Sequence, residues 1–442
     1  MNKTIEVAQA EQWAQEFKND KMNTILQNAV IHNELKKVSL NHERVVEHQM
    51  RFPNEVNTGD IISQRQSLRC WLFASLNFLR EKTIKDNNLK SDFAYSTCYI
   101  TFWDKMEKAN YFLEEVLTYG EEITKLDFGI NRLSNPVHEG GEWFMFCNIL
   151  KKYGAVPMEV MPETLHSWNS TDMNKFLIRM MRNGASELAH MMNDGADEET
   201  LRAKKEEILK KLYKFLCCTL GTPPTTFTYE YYDKDDKYCC IENVTPKEFV
   251  QKFWKYDVDE YQAVVNTPGK TRPYNKVYTL GHYAHQYEGD KSNFYNIPMD
   301  EVKELVLKQL ADGEGVVFGC DSLNMTDRPT GVLSADIFEL DEMFGLDYKM
   351  SKEEMLEYRE ANATHVMVIV GVKEFVDGRR YWKIENSWGT DLGRKGFFMM
   401  DESYMDLYSY QFIINKKYFN ERQLEESAQE AIELKFDDTI CA

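Results

Sequence analysis

The stretch Gln64-Arg65-Gln66-Ser67-Leu68-Arg69-Cys70-Trp71-Leu72-Phe73-Ala74-Ser75-Leu76 decides how this chain is read. Apolar residues at Leu72, Phe73, Leu76 and Leu79 stand near helical spacing, and Ser67 is available as a cap ahead of the first turn. The spacing predicts a helix that opens at Cys70. Backbone N–H groups left unsatisfied at a helix start carry partial positive charge, which favours thiolate over thiol and draws a cysteine pKa down from roughly 8.5. Cys70 is therefore the candidate nucleophile, partly activated by the backbone itself.

Such a nucleophile needs a base, which pairs with the thiolate and protonates the leaving amine. Among the nine histidines, His365 opens the β-branched run His365-Val366-Met367-Val368-Ile369-Val370-Gly371-Val372, which reads as a buried strand able to hold the imidazole still. Downstream, Tyr381-Trp382-Lys383-Ile384-Glu385-Asn386-Ser387-Trp388-Gly389 reads as a strand ending in a polar turn. Asn386 can accept the hydrogen of one imidazole nitrogen and fix the tautomer, with Trp388 covering that bond. Neutral Asn suits a thiolate–imidazolium pair, in which the sulfur already holds the negative charge. The side-chain N–H of Gln64 and the backbone N–H of Cys70 could together receive an oxyanion.

Composition narrows the classes. A chain of 442 residues, 43% hydrophobic and 13% aromatic, can bury a large core. Its formal charge of −19, from 72 acidic and 53 basic residues, opposes a phosphate backbone, so neither nucleic acid nor an anionic membrane is expected as a partner. No apolar run approaches the roughly 18 to 20 residues of a membrane helix, and Met1-Asn2-Lys3-Thr4-Ile5-Glu6-Val7 lacks a secretion core, so a cytoplasmic location is expected. Nine cysteines with no CxxC pair point to a reducing compartment and to no metal site; Cys98, Cys147 and Cys320 read as buried thiols, and Cys217-Cys218 and Cys239-Cys240 as incidental ones.

The Gln64–Leu76 stretch, Glu139-Gly140-Gly141-Glu142-Trp143, Lys151-Lys152-Tyr153-Gly154, Phe318-Gly319-Cys320-Asp321, Met350-Ser351-Lys352, Thr364-His365 and Glu385-Asn386-Ser387-Trp388-Gly389 together resemble the papain superfamily. Within it, the pattern is similar to the bleomycin hydrolase and bacterial aminopeptidase C family, over nearly the whole chain. The resemblance implies an α+β fold: a papain-like core with a helical half and a β-barrel-like half, and an inserted helical hook domain. It assigns Cys70 as nucleophile, His365 as acid/base, Asn386 as orienter and Gln64 as oxyanion donor. It further implies substrate contacts from the backbone of Gly140, Gly141 and Thr364, and a terminal carboxylate at Ala442 that meets the free amine of a peptide. No cofactor or metal is implied, and a homohexamer is.

Simple papain-like enzymes place His and Asn about 130 to 150 residues after the cysteine, whereas His365 follows Cys70 by 295 positions (365 − 70). The excess suggests three segments: 1–160 with the nucleophile, a helical insertion over about 161–290, and 291–442 with His, Asn and a C-terminal arm. The charged run from Asp197 to Glu207, ahead of Leu209, Leu212, Phe215 and Leu216, is amphipathic and needs a partner, either its own domain or, by the family precedent, a neighbouring subunit. Two features depart from the family. Leu68 stands where relatives carry glycine, bringing bulk to the cleft wall and disfavouring positive φ. The tail Phe436-Asp437-Asp438-Thr439-Ile440-Cys441-Ala442 also differs in stiffness and bulk. The expected activity is thus peptide hydrolysis by a cysteine aminopeptidase, with endopeptidase or oligopeptidase action, acyl transfer to amines, and a non-catalytic binding scaffold as alternatives.

Overall fold

A computed structural model describes residues 3–347 and 350–441, with backbone only at residue 441. The helical part comprises α1 (Val7–Asn19), α2 (Lys21–Val30), α3 (Cys70–Asp86), α4 (Thr97–Tyr119), α5 (Trp143–Tyr153), α6 (Thr171–Asn193) and α7 (Glu198–Leu220). Helix α3 is buried on nearly every side, from Trp71 through Leu79, as expected of a central helix whose sequence is apolar all round. A two-stranded hairpin, β1 (Phe227–Tyr232) and β2 (Tyr238–Val244), follows α7.

The sheet is built from β3 (Tyr261–Val265), β4 (Lys276–Leu280), β5 (Phe294–Asn296), β6 (Val316–Cys320), β7 (His365–Glu374), β8 (Arg380–Glu385), β9 (Phe397–Asp401), β10 (Ser409–Asn415) and β11 (Ile432–Leu434). Its order is β11-β4-β5-β3-β10-β6-β7-β8-β9, extended at the β9 edge by the short strands Val332–Leu333 and Thr326–Asp327. Side chains alternate across β7. Val368 and Val370 join the core shared with α3 and α4, while Met367 and Ile369 face a second core with Val316, Phe318 and Trp382. The helical half and the sheet thus meet along α3 and β7, where the site forms. Strands β3 and β4 already belong to this sheet, so it begins ahead of residue 290.

Helix α7 buries Ile208, Leu212, Leu216 and Leu220, and it packs on α4 and α6 of the same chain, with Arg202 and Lys205 both paired to Glu114. Its amphipathic face is satisfied within the chain. The N-terminal helices differ: α1 and α2 bury no residue and leave Val7, Trp13, Phe17, Met22 and Ile25 exposed.

Candidate active site

The loop from Gln64 to Arg69 enters α3 by a route the sequence did not predict. Ser67 does not cap the helix; its hydroxyl donates to Gln64 O at 2.6 Å, and the N-cap position falls on Arg69 without a side-chain cap. Arg69 is buried and donates to Thr101 Oγ1 at 2.8 Å, Glu163 Oε2 at 2.6 Å and Ser167 O at 2.7 Å, pinning the loop to the helices beneath it. Between them Leu68 adopts φ 55°, the left-handed region, with its side chain largely exposed on the cavity wall.

A cavity of about 750 Å³ lies where α3 faces β6, β7 and β10, and Cys70, Gly140, Gly141, Thr364 and His365 all line it. Cys70 is the first residue of α3 and is half-buried. His365 is the first residue of β7, in register with Cys320. Its Nε2–H donates to Asn386 Oδ1 at 2.8 Å, and Ser387 N–H donates to the same oxygen at 2.7 Å. The second bond orients the Asn386 amide, and the first leaves imidazole Nδ1 with the lone pair that could take a thiol proton. Trp388 stacks on the imidazole with ring centroids 4.5 Å apart, as its position after Asn386 suggested. Gln64 is buried behind the cavity lining. Its backbone N–H donates to Ser387 O at 2.7 Å and its Oε1 accepts from Ser387 Oγ at 2.7 Å, which leaves the amide nitrogen as the donating end.

Burial sets the resting charges. It pushes the Cys70 thiol up to about 11, against backbone N–H groups at the start of α3 that act in the opposite direction. It also holds the His365 imidazole down to about 4; the bond to Asn386 favours the charged ring, and the positive charge of Arg328 opposes it. Both shifts favour the neutral forms of Cys70 and His365, a direction opposite to the thiolate expected at a helix start. Desolvation outweighs the few partial charges of one helix end.

The two glycines have different reasons. A carbon added at Gly141 would come within 2.6 Å of the Trp71 indole, so this position is small to admit Trp71, whose Nε1–H donates to Glu139 O at 2.7 Å. At Gly140 the nearest atom to an added carbon is His138 Nδ1 at 3.9 Å, so the space on that side is open. Lys108 Nζ donates to Gly140 O at 2.7 Å and to Asp104 Oδ2 at 2.9 Å from within α4. Thr364 N–H donates to Cys320 O at 2.9 Å, and its hydroxyl oxygen accepts from Ser322 N–H at 3.0 Å.

Two features were not foreseen. Arg80 of α3 donates to Glu385 Oε1 at 2.9 Å, and Asn77 donates to the same oxygen at 2.9 Å. This buried link joins the helix that carries Cys70 to the strand that precedes Asn386. Asp104, Lys105 and Lys108 form a buried charged stripe on α4, a helix that also buries Glu107, Glu114 and Glu115. The C-terminal arm was implied by the family resemblance, and its anchoring is specific. β11 pairs with β4, Arg272 holds Asp438 at 2.6 Å, and Ile440 is buried against Val265, Tyr278 and Phe294. Phe436, Asp437 and Ile440 thereby line the same cavity as Cys70. Ala442, expected to supply a carboxylate, lies outside the described residues.

A cysteine at a helix start, a histidine at a strand start and an asparagine bonded to its imidazole, between a helical half and a sheet, define a papain-like peptidase architecture. The chain belongs to the Peptidase C1-like family, whose model matches residues 4–441. It is 37% identical to Aminopeptidase C of Streptococcus thermophilus over 403 residues, 90% of each chain, and 35% identical to Aminopeptidase C of Listeria monocytogenes over 435 residues, 98% of each. The crystal structure of PepW from Lactobacillus rhamnosis superposes over 100% of both chains with a TM-score of 0.96 at 35% identity.

Proposed function

We propose that this chain is a cysteine aminopeptidase that releases amino-terminal residues from peptides. The observation that carries the reading is the C-terminal arm: Phe436, Asp437 and Ile440 share the cavity of Cys70 and His365, so a bound peptide has limited room on that side of the nucleophile. The names of the relatives point the same way.

In the proposed cycle, His365 Nδ1 takes the proton of the Cys70 thiol as Sγ attacks the scissile carbonyl carbon. The N–H of Cys70 and the amide of Gln64 receive the oxyanion. The tetrahedral intermediate collapses to a thioester, and the departing amine takes the proton from His365. His365 then removes a proton from water, whose oxygen attacks the thioester and regenerates the Cys70 thiol. Asn386 keeps the ring in the tautomer this sequence needs. Gly140, Gly141 and Thr364 offer backbone groups to an extended substrate, and the Ala442 carboxylate is assigned to the substrate's free amine.

The net charge of −19 favours peptide substrates over nucleic acid, and no helix among the described residues is long and apolar enough to cross a membrane. A cytoplasmic site of action, a helical insertion beginning near residue 161 and a homohexamer complete the reading. The exposed apolar residues of α1 and α2 are suited to a contact between subunits.

The test compares a peptide bearing a free amine with its acetylated form, in the full-length protein and in one lacking residues 436–442. Preference for the free amine that disappears on truncation is expected; equal cleavage of both peptides by the full-length protein refutes the exopeptidase reading. Cys70→Ala should abolish turnover without unfolding the chain, and a dominant transfer product in excess amine would favour acyl transfer instead.

A further inference from the structure

Most carboxylates buried near the cleft have a cation. Glu139 faces Lys105, Asp104 faces Lys108, Glu163 faces Arg69, Glu115 faces Arg132 and Glu385 faces Arg80. Glu142 is different. It follows Gly141 at the start of α5 and lines the cavity with Cys70. Its hydrogen-bond partners are neutral: the Tyr283 hydroxyl, 3.2 Å from Oε1, and the Gln411 side chain from β10. Among the described residues no cation is paired with it, and burial raises its carboxyl to about 7. A half-buried carboxylate held by neutral donors is an incomplete ion pair.

The missing cation has to arrive with the substrate. Glu142 and Cys70 line one cavity, so a cation that pairs with Glu142 lies in the same cleft as the scissile bond. In a peptide cut after its first residue, the cation nearest the scissile bond is the amino-terminal ammonium. The arm residues Phe436, Asp437 and Ile440 occupy another part of the same cavity and limit the room for chain on the amino-terminal side of the scissile residue.

We infer that Glu142 is a specificity-determining residue whose carboxylate pairs with the amino-terminal ammonium of the peptide. This rests on the aminopeptidase reading and adds to it a second anion, carried by the cleft wall and independent of the terminal carboxylate.

Two measurements on the full-length protein and on Glu142→Gln test it. The first is kcat/KM for an alanyl anilide with a free amine and for the lysyl anilide. A charged hydrogen-bonded pair of this kind corresponds to roughly 10- to 100-fold, so both substrates should lose about that factor together, chiefly through KM. The second needs no peptidase activity: the rate at which Cys70, followed by peptide mapping, reacts with aminoethyl methanethiosulfonate relative to the neutral methyl methanethiosulfonate. The ammonium reagent should be preferred in the wild type, and that preference should fall about tenfold in Glu142→Gln. Glu142→Asp should keep part of both effects. Unchanged kcat/KM and an unchanged reagent ratio overturn the inference, as does a loss confined to the lysyl substrate, which would assign the carboxylate to a side chain. A retained reagent preference in a protein that hydrolyses neither anilide supports the cation site while refuting the aminopeptidase reading alone.

Discussion

At position 68 glycine should be more stable than alanine, the reverse of the usual order. Leu68 has φ 55° and is 69% exposed. An L-residue in this region costs roughly 1–2 kcal/mol, and shortening the side chain to alanine leaves that cost in place. Glycine removes it but loses roughly 0.4–1 kcal/mol through the greater freedom of its unfolded chain. The balance places Leu68→Gly about 0.5–1 kcal/mol above Leu68→Ala, because both variants forfeit the same small buried part of the leucine. Gln66 gives the control: it lies in the same loop, is exposed and is not at positive φ, so Gln66→Ala should exceed Gln66→Gly by roughly 0.4–1 kcal/mol. Urea midpoints of the four variants, read by intrinsic fluorescence, decide the matter. An alanine variant at 68 as stable as the glycine variant would refute the strain argument. Because Leu68 lines the cavity, both of its variants should also improve turnover of substrates with bulky first residues.

Three further outcomes follow from the same geometry. Gly141→Ala should lower stability by roughly 1–3 kcal/mol, since its methyl meets Trp71 at 2.6 Å, whereas Gly140→Ala should unfold within about 0.5 kcal/mol of wild type yet lose kcat/KM; denaturation and kinetics on the two variants separate the roles. Arg80→Met should cost about 3–5 kcal/mol by stranding Glu385, and Arg80→Met/Glu385→Gln should recover most of it, as a double-mutant cycle in urea would show. Glu142 supplies a pH signature. Its folded-state carboxyl titrates near 7 instead of 4.5, so between those values the folded chain holds a proton that the unfolded chain releases, and stability contributed by Glu142 falls as pH rises through that window. Glu142→Gln lacks this loss. Its stability relative to wild type should rise by about 1–2 kcal/mol from pH 4.5 to pH 7 and level off above, the full desolvation effect being reduced by water that reaches the cleft.

What the sequence revealed and what it hid follow from the range of the interactions. The start of α3 at Cys70, the strand behind His365 and the turn at Asn386 are written in local spacing, and each forms where the residues suggested. Ser67 was read by the same local rule as a cap, and the rule failed because the helix opens at Cys70 with Arg69 at the N-cap, which leaves Ser67 two residues short and its hydroxyl donating to Gln64 O. Nothing local could show Arg69 reaching Glu163 and Ser167, or Arg80 reaching Glu385 across 305 positions. Such charges look like solvated surface in a sequence. Their burial follows from assembly: two halves with separate cores must meet at a site whose side chains are polar, and backbone carbonyls and carboxylates left there need donors. The groups that hold a polar cleft in register are for that reason the ones a sequence hides best. Glu142 stands apart for the opposite reason: among the described residues no cation is paired with it, while Lys105, Lys108, Arg69, Arg132 and Arg80 face the other carboxylates, a contrast that no local pattern carries.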